Sequence, residues 1–332
     1  MPCRWKESLG DEAKRFRIKY YKGLGTSTSA EAKEYFSNLD LHEVHFGQLS
    51  SDVAVKRESD DGMELEMVDE TTVSGSDLID MCFSKGRVED RKVWLNELEK
   101  DTYLDYSEAH QSGIQYSEFV NKEFILFSQA DNQRSIPHVM DGLKPSQRKV
   151  LFSCFKRKLK TEIKVAQLAG YVSEHSAYHH GEASLNGTII GMAQSFCGSN
   201  NINLLTPSGQ FGTRRMGGKD AASPRYTFTK LEDITRKIFH PDDDPLLSYL
   251  NDDGLSIEPE FYMPVIPMIL VNGTDGIGTG WSTSVPNFDP RAIIANLRRL
   301  IAGDEVEAMV PYYCGYTGTV SETDPSSCNS RY

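Results

Sequence analysis

Hydrophobic residues recur along most of this chain at helical spacing, and short polar segments rich in glycine and proline separate these stretches. Apolar positions three and four residues apart indicate amphipathic helices that bury one face. On this basis we predict helices over residues 91–98, 116–131, 145–155, 164–172, 181–195, 234–239 and 290–302. In the first of these, Val93, Trp94 and Leu98 should share the buried face.

Other segments show strand, turn or loop signals. Residues 264–270 form an apolar run with two prolines, which predicts a strand, and residues 273–280 are so rich in glycine that we predict a loop. Near the start of the chain, residues 11–40 suggest helix, strand over 16–21, glycine turn and a second helix over 30–36. The candidate N-caps of that second helix are Thr26, Ser27 and Thr28.

A strongly acidic stretch covers residues 50–80. It holds 10 acidic residues against 2 basic ones, together with serine and glycine, and its periodicity is weak. Such a composition cannot bury enough apolar surface to offset the entropy lost on ordering. We therefore predict an exposed acidic loop or disordered insertion, with order resuming at Ile79.

The order of elements in the middle of the chain suggests a fold. Two helices joined by a turn, at 164–172 and 181–195, precede short glycine-punctuated strands between residues 203 and 211. Helix, turn, helix and then a small β wing is the order of a winged-helix module. We therefore expect an α+β chain that is mainly helical, with a short β wing.

Composition narrows the class of protein. The 332 residues leave room for two modest domains, and a hydrophobic content of 39% supports real cores. No apolar run approaches the roughly 18 residues of a membrane helix, and the start lacks a secretory signal, so we expect no membrane partner. The six cysteines are scattered without a Cys-x-x-Cys pair, which argues against a disulfide framework or a thiolate zinc site.

The charge is unevenly distributed. The whole chain carries a net charge of −12, yet residues 134–237 contain 16 lysines and arginines against 7 acidic residues, which gives this segment +9. A basic block inside an acidic chain is typical of contact with a phosphate backbone. On charge alone, the alternative is a basic surface that has no partner.

Three motifs resemble nucleotide or metal sites but do not fit them. Residues 276–280 lack the G-x-G-x-x-G spacing, and Gly217-Gly218-Lys219 is followed by aspartate instead of the serine or threonine of a phosphate-binding loop. His179 and His180 are adjacent, and adjacent helical side chains point about 100° apart. We therefore favour a neutral imidazole that donates to a phosphate oxygen over a metal pair.

Tyr226 is the candidate nucleophile. It follows Arg225 in a loop that also contains Arg214, Arg215 and Lys219. A phenol, with its pKa near 10, attacks poorly at neutral pH unless nearby cations favour its anion. The same cations would hold a phosphodiester. The alternative is that Tyr226 is simply one of 15 tyrosines, in a solvated basic loop.

Several sequence blocks occur in the order of a known family. They include Tyr20-Tyr-Lys-Gly-Leu-Gly-Thr-Ser-Thr28, Asp141-Gly-Leu-Lys-Pro-Ser-Gln-Arg-Lys-Val-Leu151, Ala177-Tyr-His-His-Gly-Glu182 and Gly218-Lys-Asp-Ala-Ala-Ser-Pro-Arg-Tyr226. Further blocks lie at residues 90–92, 134–137, 164–169, 198–203 and 272–281. Over roughly residues 11–320 the chain resembles eukaryotic type IIA DNA topoisomerase, closest to the fungal form.

This resemblance implies roles for individual residues. Tyr226 would attack a DNA phosphodiester and hold the broken 5′ end, and Arg225 would stabilise the transition state. His179 and His180 would lie near the scissile phosphate, and Ile277 would wedge between base pairs. DNA contacts are implied at Lys22, Arg91, Lys92, Lys144, Arg148 and Tyr178, and the charge of the loop adds Arg214 and Lys219.

The resemblance also implies cofactors, partners and a domain order. It implies double-stranded DNA as the partner, a homodimer, a nuclear location, and Mg²⁺ and ATP as cofactors of the full-length protein, with no metal ligand in this chain. The ATPase domain and the magnesium carboxylates are expected to lie outside it. The expected order is the end of an α/β Toprim domain (1–48), the acidic loop (49–80), a helical connector (81–115), the winged-helix DNA cleavage domain (116–290) and the start of a tower domain (291–332).

Two other functions fit parts of the sequence. Without the ATPase domain and the magnesium carboxylates, the chain would act as a non-catalytic module that binds DNA or interferes with the active enzyme. A recombinase-type tyrosine enzyme is the weaker alternative, because the sequence shows no matching dispersed Arg-His-Arg set.

Overall fold

The computed structural model describes residues 12, 15–16, 27–47, 74–104, 106, 113–252 and 254–321. The backbone clusters into two units, one of Met1–Asp80 with Glu99–Glu123 and one of Met81–Leu98 with Phe124–Tyr332. Most of the predicted strand over 16–21, the glycine turn after it and Lys22 lie outside the described residues. So do residues 48–73, which cover most of the predicted acidic loop.

The first unit contains helix α1 (Ser29–Ser37) and the 3₁₀ turn Leu39–Leu41. Helix α1 starts at a capping box, in which Thr28 Oγ1 accepts the Glu31 N–H and the Glu31 carboxylate accepts the Thr28 N–H at 2.6 Å. This helix confirms the prediction and identifies Thr28 as the cap. In the same unit Phe46 packs against Tyr116 and Phe119, with ring centroids 5.3 and 5.4 Å away.

Helix α2 (Gly75–Phe83) corrects the predicted extent of the acidic loop. It begins at Gly75, inside the stretch that was expected to stay exposed through residue 80. Leu78, Met81 and Cys82 are buried along it. Their spacing of three and four residues is typical of the buried face of an amphipathic helix. The many acidic residues nearby in the sequence hid this pattern.

Helix α3 (Val88–Asn96) is confirmed, and its predicted buried face is confirmed at Trp94 but not at Val93. Trp94 and Leu95 are buried, whereas Val93 is 57% exposed. Helix α4 (Tyr116–Phe119) continues through a π-helical turn, Val120–Phe124, into α5 (Ile125–Ser135). The chain leaves the helical conformation at Ile136, which precedes Pro137, because proline disfavours helical geometry in the residue before it.

The core of the second unit is built by α6 (Pro145–Arg157), α7 (Val165–His175) and α8 (Glu182–Ala193), which pack on one another. Pro145 occupies the first turn of α6, where its fixed φ suits a helix start. These helices confirm the predictions over 145–155, 164–172 and 181–195. Their fully buried residues include Val150, Leu151, Val165, Leu168, Leu185 and Ile189.

The remaining elements of this unit are short, apart from the last helix. They are β1 (Ile163–Lys164), the 3₁₀ turn Arg214–Met216, β2 (Phe228–Thr229), α9 (Thr235–Ile238), the 3₁₀ helix Pro241–Leu246, β3 (Tyr249–Asp252), β4 (Leu255–Pro259), α10 (Met268–Val271), β5 (Thr274–Ile277), β6 (Ser282–Val285) and α11 (Pro290–Ala302). Helix α11 has the predicted bounds. Asp289 caps it by accepting the Arg291 N–H at 2.9 Å.

In the part of the chain that the structure describes, the strands form three antiparallel pairs, β1–β2, β3–β4 and β5–β6. Ile163 pairs with Thr229 and Lys164 with Phe228 in the first pair. The strands predicted between residues 203 and 211 reduce to isolated bridges, from Leu205 to Leu231 and from Ser208 to Phe228. These bridges add to the small wing that follows α8.

Two predictions for the region after residue 260 are wrong. Residues 264–270 do not form a strand, since the prolines leave irregular backbone that leads into the short helix α10. Residues 273–280 are not an open loop but include strand β5, which pairs with β6 from Thr274↔Val285 to Ile277↔Ser282. None of the helices in the described parts of the chain is long and apolar enough to cross a membrane.

Candidate functional site

Tyr226 lies on a turn at the surface, directly before strand β2. Its side chain is 76% exposed, and its backbone N–H donates to Ser223 O at 2.9 Å. The turn is anchored to the start of α7, because the N–H groups of Val165 and Ala166 donate to Thr227 O and Pro224 O at 3.0 and 3.1 Å. These are helix N-terminal donors that lack partners within their own helix. The packing therefore presents the phenol to solvent on a fixed turn, beside exposed Arg225.

The basic loop before Tyr226 is closed by Asp220. Its carboxylate accepts the backbone N–H and the hydroxyl of Thr213, both at 2.8 Å. These two bonds, the backbone one first, lower the pKa of Asp220 below its ordinary value and favour the ionised carboxylate. The loop is also tight at Gly212, where a Cβ would lie 2.6 Å from Gly218 Cα.

The cations of this loop point outward. Arg214, in the 3₁₀ turn Arg214–Met216, is exposed, and its guanidinium lies over the Tyr316 ring at 5.6 Å and 3.6 Å from Cys197 Sγ. Arg215 and Lys219 are exposed as well. The Asp220 contacts fix the backbone of the loop that carries these charges, a few residues before Tyr226 in the sequence.

The two histidines follow helix α7 in a short segment, residues 176–180, which we call the histidine segment. His179 and His180 are exposed, and His179 Nε2 lies 3.3 Å from Asp252 Oδ2. The His180 ring stands edge-on to Tyr178 at 5.5 Å. Helix α7 thus holds the Tyr226 turn at its first residues and leads into the histidine segment after its last.

Two residues predicted to contact DNA are buried instead. Arg148 is 5% exposed, and its guanidinium binds both oxygens of fully buried Asp141 at 2.8 and 3.0 Å. Asp141 also accepts the backbone N–H groups of Leu143 and Tyr262, each at 2.9 Å. Tyr178 is only 7% exposed and belongs to the hydrophobic core. Both side chains thus have partners inside the protein, and their contact with DNA stays a prediction.

Lys144 remains available near the surface. It is the N-cap residue of α6, it is half-buried, and its backbone N–H donates to Gln147 Oε1 at 2.9 Å. A lysine at the start of a helix adds its charge to the partial positive charge of the helix N-terminus, and both attract phosphate.

The hairpin β5–β6 presents Ile277 outward, with 82% of its side chain exposed. Its tip is held by Asn132, whose Nδ2 donates to Thr279 O at 3.0 Å. A Cβ on Gly278 would come within 2.1 Å of Asn132 Oδ1, so only glycine fits this approach without movement. An isoleucine so exposed on a braced hairpin gains nothing from burial within its own chain.

Arg91 and Lys92 lie next to the same hairpin. A Cβ built on Gly280 would be 3.6 Å from Arg91 Cβ and 3.5 Å from Lys92 Cγ. The Arg91 guanidinium donates to Met81 O and Ser84 O at 2.8 and 2.7 Å, and Lys92 pairs with Glu89 at 2.8 Å. The structure therefore brings these predicted cations together with the Ile277 hairpin, but both side chains also have partners within the chain.

Several residues that shape this site were missed by the sequence reasoning. Asp252 and Glu258 lie on the hairpin β3–β4, for which no prediction was made, although Asp253-Gly254 between apolar strand residues is a typical hairpin turn signal. Asp220 and Asn132 were missed because their partners are backbone groups, Thr213 N–H and Thr279 O. Contacts of a side chain with backbone groups, whether seven residues away or 147, leave no mark in hydrophobic periodicity.

Comparison with known proteins relates this geometry to a family. The family profile for DNA gyrase/topoisomerase IV matches residues 134–331, and the profile "C-terminal associated domain of TOPRIM" matches residues 3–59 and 59–132. The crystal structure of the Plasmodium falciparum topoisomerase II DNA-binding, cleavage and re-ligation domain superposes with a TM-score of 0.72 at 50% identity, covering 98% of this chain and 41% of that one. This similarity confirms the winged-helix α+β fold.

Curated relatives give the same result. DNA topoisomerase 2 of Arabidopsis thaliana is 55% identical over 96% of this chain, that of Saccharomyces cerevisiae 53% over 97%, and human DNA topoisomerase 2-alpha 50% over 97%. The identities do not single out the fungal form that the motifs had suggested. The chain spans about a fifth of the length of these relatives, from 20 to 21%.

Proposed function

Because the chain belongs to the DNA gyrase/topoisomerase IV family, and its relatives are eukaryotic DNA topoisomerases 2, we propose that it is the DNA-cleavage segment of an ATP-hydrolysing type II DNA topoisomerase. The observation that carries this proposal is the exposed Tyr226 phenol, which is anchored through its turn to α7 and directly follows exposed Arg225 in the sequence. Such a group is accessible to a strand of double-stranded DNA.

The proposed reaction is a transesterification. Tyr226 Oη attacks the phosphorus of a DNA phosphodiester, the phosphorus–O3′ bond breaks, and the 5′ end stays on the tyrosine. The phenol gives up one proton and the leaving 3′ oxygen takes up one, so the exchange consumes neither proton nor electron. One phosphodiester replaces another, so the 3′ hydroxyl can reverse the step and reseal the strand without external energy.

Cations beside the tyrosine supply the electrostatic part of this chemistry. Arg225, the neighbour of Tyr226, stabilises the charge that develops on the phosphoryl oxygens, as fixed positive groups do in phosphoryl transfer. His179 and His180 are proposed to donate to the same phosphate. A phosphate held between such groups is polarised towards attack before the phenol reaches it.

The surrounding surface binds the duplex. Arg214, Lys219 and Lys144 contact phosphates, which positions DNA without reading its sequence. Ile277 inserts between two base pairs, beside Arg91 and Lys92, and unstacks them at a cost of a few kcal/mol that the added contacts of bent DNA offset. Arg148 and Tyr178 support this surface from inside. Lys22, by resemblance, adds a further contact.

We propose Mg²⁺ and ATP as cofactors of the full-length protein, with a homodimer as its assembly and the nucleus as its location. Among the residues that the structure describes, no three histidine, cysteine, aspartate or glutamate side chains come together as candidate metal ligands.

The test is the variant Tyr226→Phe in the full-length protein. It removes one oxygen from a side chain that is 76% exposed, so the fold and DNA binding should be unchanged while the covalent protein–DNA adduct disappears. Adduct is measured by trapping it with detergent on end-labelled DNA, and binding by a salt titration. Tyr313→Phe is the matched control, because that tyrosine lies outside the basic loop. Adduct formation by the Tyr226→Phe protein would refute the proposal.

A further inference from the structure

The hairpin β3–β4 lies against the histidine segment and carries two carboxylates that reach it. Asp252 stands at the end of β3, where it pairs with Leu255 of β4. Its Oδ2 lies 3.3 Å from His179 Nε2. The second carboxylate, Glu258, is on β4 and is almost completely buried, at 3% exposure. One hairpin therefore supplies two separate contacts towards residues 176–180.

Glu258 acts on the segment through Lys149. The Lys149 ammonium, on helix α6, donates to Glu258 Oε2 at 2.9 Å and to Ser176 O at 2.6 Å. Ser176 is fully buried, and its hydroxyl donates to Val172 O at 2.6 Å in the last turn of α7. Because the ammonium bridges a buried carboxylate and a backbone carbonyl, the start of the histidine segment is tied to the hairpin.

The backbone between these two ties is strained. Ala177 has φ of +48°, in the left-handed region that residues with a Cβ rarely adopt. Such strain persists only where the surrounding contacts fix the chain on both sides. Here Ser176 is held by Lys149, and Tyr178, on the other side, is buried in the core. The exposed imidazoles therefore follow a backbone that is fixed on both sides of Ala177, and the His180 ring also stands edge-on to Tyr178.

We propose that Asp252, Glu258 and Lys149 are positioning residues for the two histidines, and that Asp252 fixes which ring nitrogen of His179 carries the proton. An ionised carboxylate only accepts hydrogen bonds, so a neutral His179 facing it must carry its proton on Nε2, which leaves Nδ1 as the acceptor. The consequence for DNA cleavage rests on the proposed function of the histidines at the scissile phosphate.

The first test measures the effect of Asp252 on the His179 ring directly, in the absence of DNA. In the 332-residue chain labelled with ¹⁵N-histidine, ring ¹⁵N shifts are recorded at about pH 8.5, where an ordinary histidine is neutral. The His179 signal is assigned with His179→Gln. We expect the Nε2–H form in the parent chain and a mixture of tautomers in Asp252→Asn, since an amide can donate as well as accept. Asp243→Asn, which removes the same charge from the 3₁₀ helix Pro241–Leu246, should leave the signal unchanged.

The second test measures the effect of these residues on DNA cleavage, in the full-length protein. Asp252→Asn should slow formation of the covalent adduct by about 10- to 100-fold, the range found when the partner that orients a metal-binding histidine is removed. DNA affinity should stay within about twofold, because Asp252 is an acid and makes no phosphate contact. The double variant Lys149→Met with Glu258→Gln removes both buried charges together and should slow the adduct as well, without leaving an unpaired buried ion.

The outcomes separate the two proposals. An unchanged tautomer and an unchanged adduct rate in Asp252→Asn would overturn the positioning role while leaving the chemistry of Tyr226 intact. A slower adduct matched by an equal loss of DNA affinity would also overturn it, because that pattern indicates general damage to the site. Adduct formation by Tyr226→Phe would instead refute the proposed function, and the histidine ¹⁵N signals would still show whether the hairpin holds His179.

Discussion

Not all basic residues of the segment 134–237 face the surface, and Arg148 is buried. Its charge counts towards the +9 of residues 134–237, yet its guanidinium is enclosed with Asp141 and points into the protein. Asp141 in turn fixes the backbone at Leu143 and Tyr262, two positions far apart in the chain. A buried pair of this kind supports the fold beneath the surface that is proposed to bind DNA.

The variant Arg148→Ala should lower the free energy of unfolding by about 3 kcal/mol or more, because it leaves the Asp141 charge buried without its partner. Arg134→Ala is the matched control. Arg134 pairs with Asp131 at 3.5 Å on the surface, and exposed pairs contribute about 1 kcal/mol or less. Urea unfolding of the 332-residue chain measures both. Equal, small losses in the two variants would show that the buried pair does not carry this energy.

At the scale of elements, the hairpin β5–β6 is held in place by residues other than exposed Ile277. It packs its glycines against Asn132, Ser135 and Arg91, and it leaves Ile277 outside. The energy that fixes the hairpin therefore comes from residues other than the one proposed to enter DNA. A change at Ile277 should therefore test the proposed wedge while the fold stays intact.

Ile277→Ala should change the free energy of unfolding by less than about 0.5 kcal/mol, as expected for an exposed side chain without special contacts. It should nevertheless reduce the bend of bound DNA, because alanine is too small to hold a base step open. Energy transfer between dyes at the two ends of a duplex measures the bend. Val265→Ala, at another exposed apolar position, is the control and should leave the bend unchanged. An unchanged bend with the Ile277→Ala protein would contradict the proposed insertion of Ile277 between base pairs.

How far the sequence predicted these elements depended on their length. Helices of about three turns or more, such as α6 over Pro145–Arg157 and α11 over Pro290–Ala302, carry enough apolar periods and caps to be predicted from local signals. Strands of four residues, such as Thr274–Ile277, hold only two alternations, and their glycines suggested a loop. The burial of the Arg148–Asp141 pair depends on packing across the fold, such as the Asp141 contact to Tyr262, which no local window contains.

The candidate site was predicted unevenly for the same reason. Tyr226 and its cations are neighbours in sequence, so their proximity needed no fold. The link from His179 to Asp252 joins positions 73 residues apart, and the link from Lys149 to Glu258 joins positions 109 apart. Residues proposed to touch DNA were thus accessible to sequence reasoning, whereas residues proposed to position them required the structure.

At the scale of the whole molecule, charge is separated along the chain, with +9 in residues 134–237 within a total of −12. A protein with this distribution should bind DNA through one surface while the acidic remainder repels it, so binding should be strongly salt-dependent. The observed affinity for a duplex of random sequence should fall linearly with the salt concentration on logarithmic axes. Each phosphate contact contributes a slope of about 0.9, through release of condensed counterions.

The variant Lys219→Ala should lower the magnitude of that slope by about 1, because its ammonium is exposed in the basic loop and is proposed to contact one phosphate. Lys122→Ala is the matched control, since Lys122 pairs with Glu118 at 3.1 Å outside the basic block, and it should leave the slope unchanged. Fluorescence anisotropy of the 332-residue chain on a labelled duplex, measured at several salt concentrations, gives the slopes. An equal change of slope in both variants would show that binding depends only on the net charge of the chain. A slope that neither variant changes would show that the phosphate contacts are made by other residues. A loss at Lys219 alone would locate the DNA on the surface that presents Tyr226.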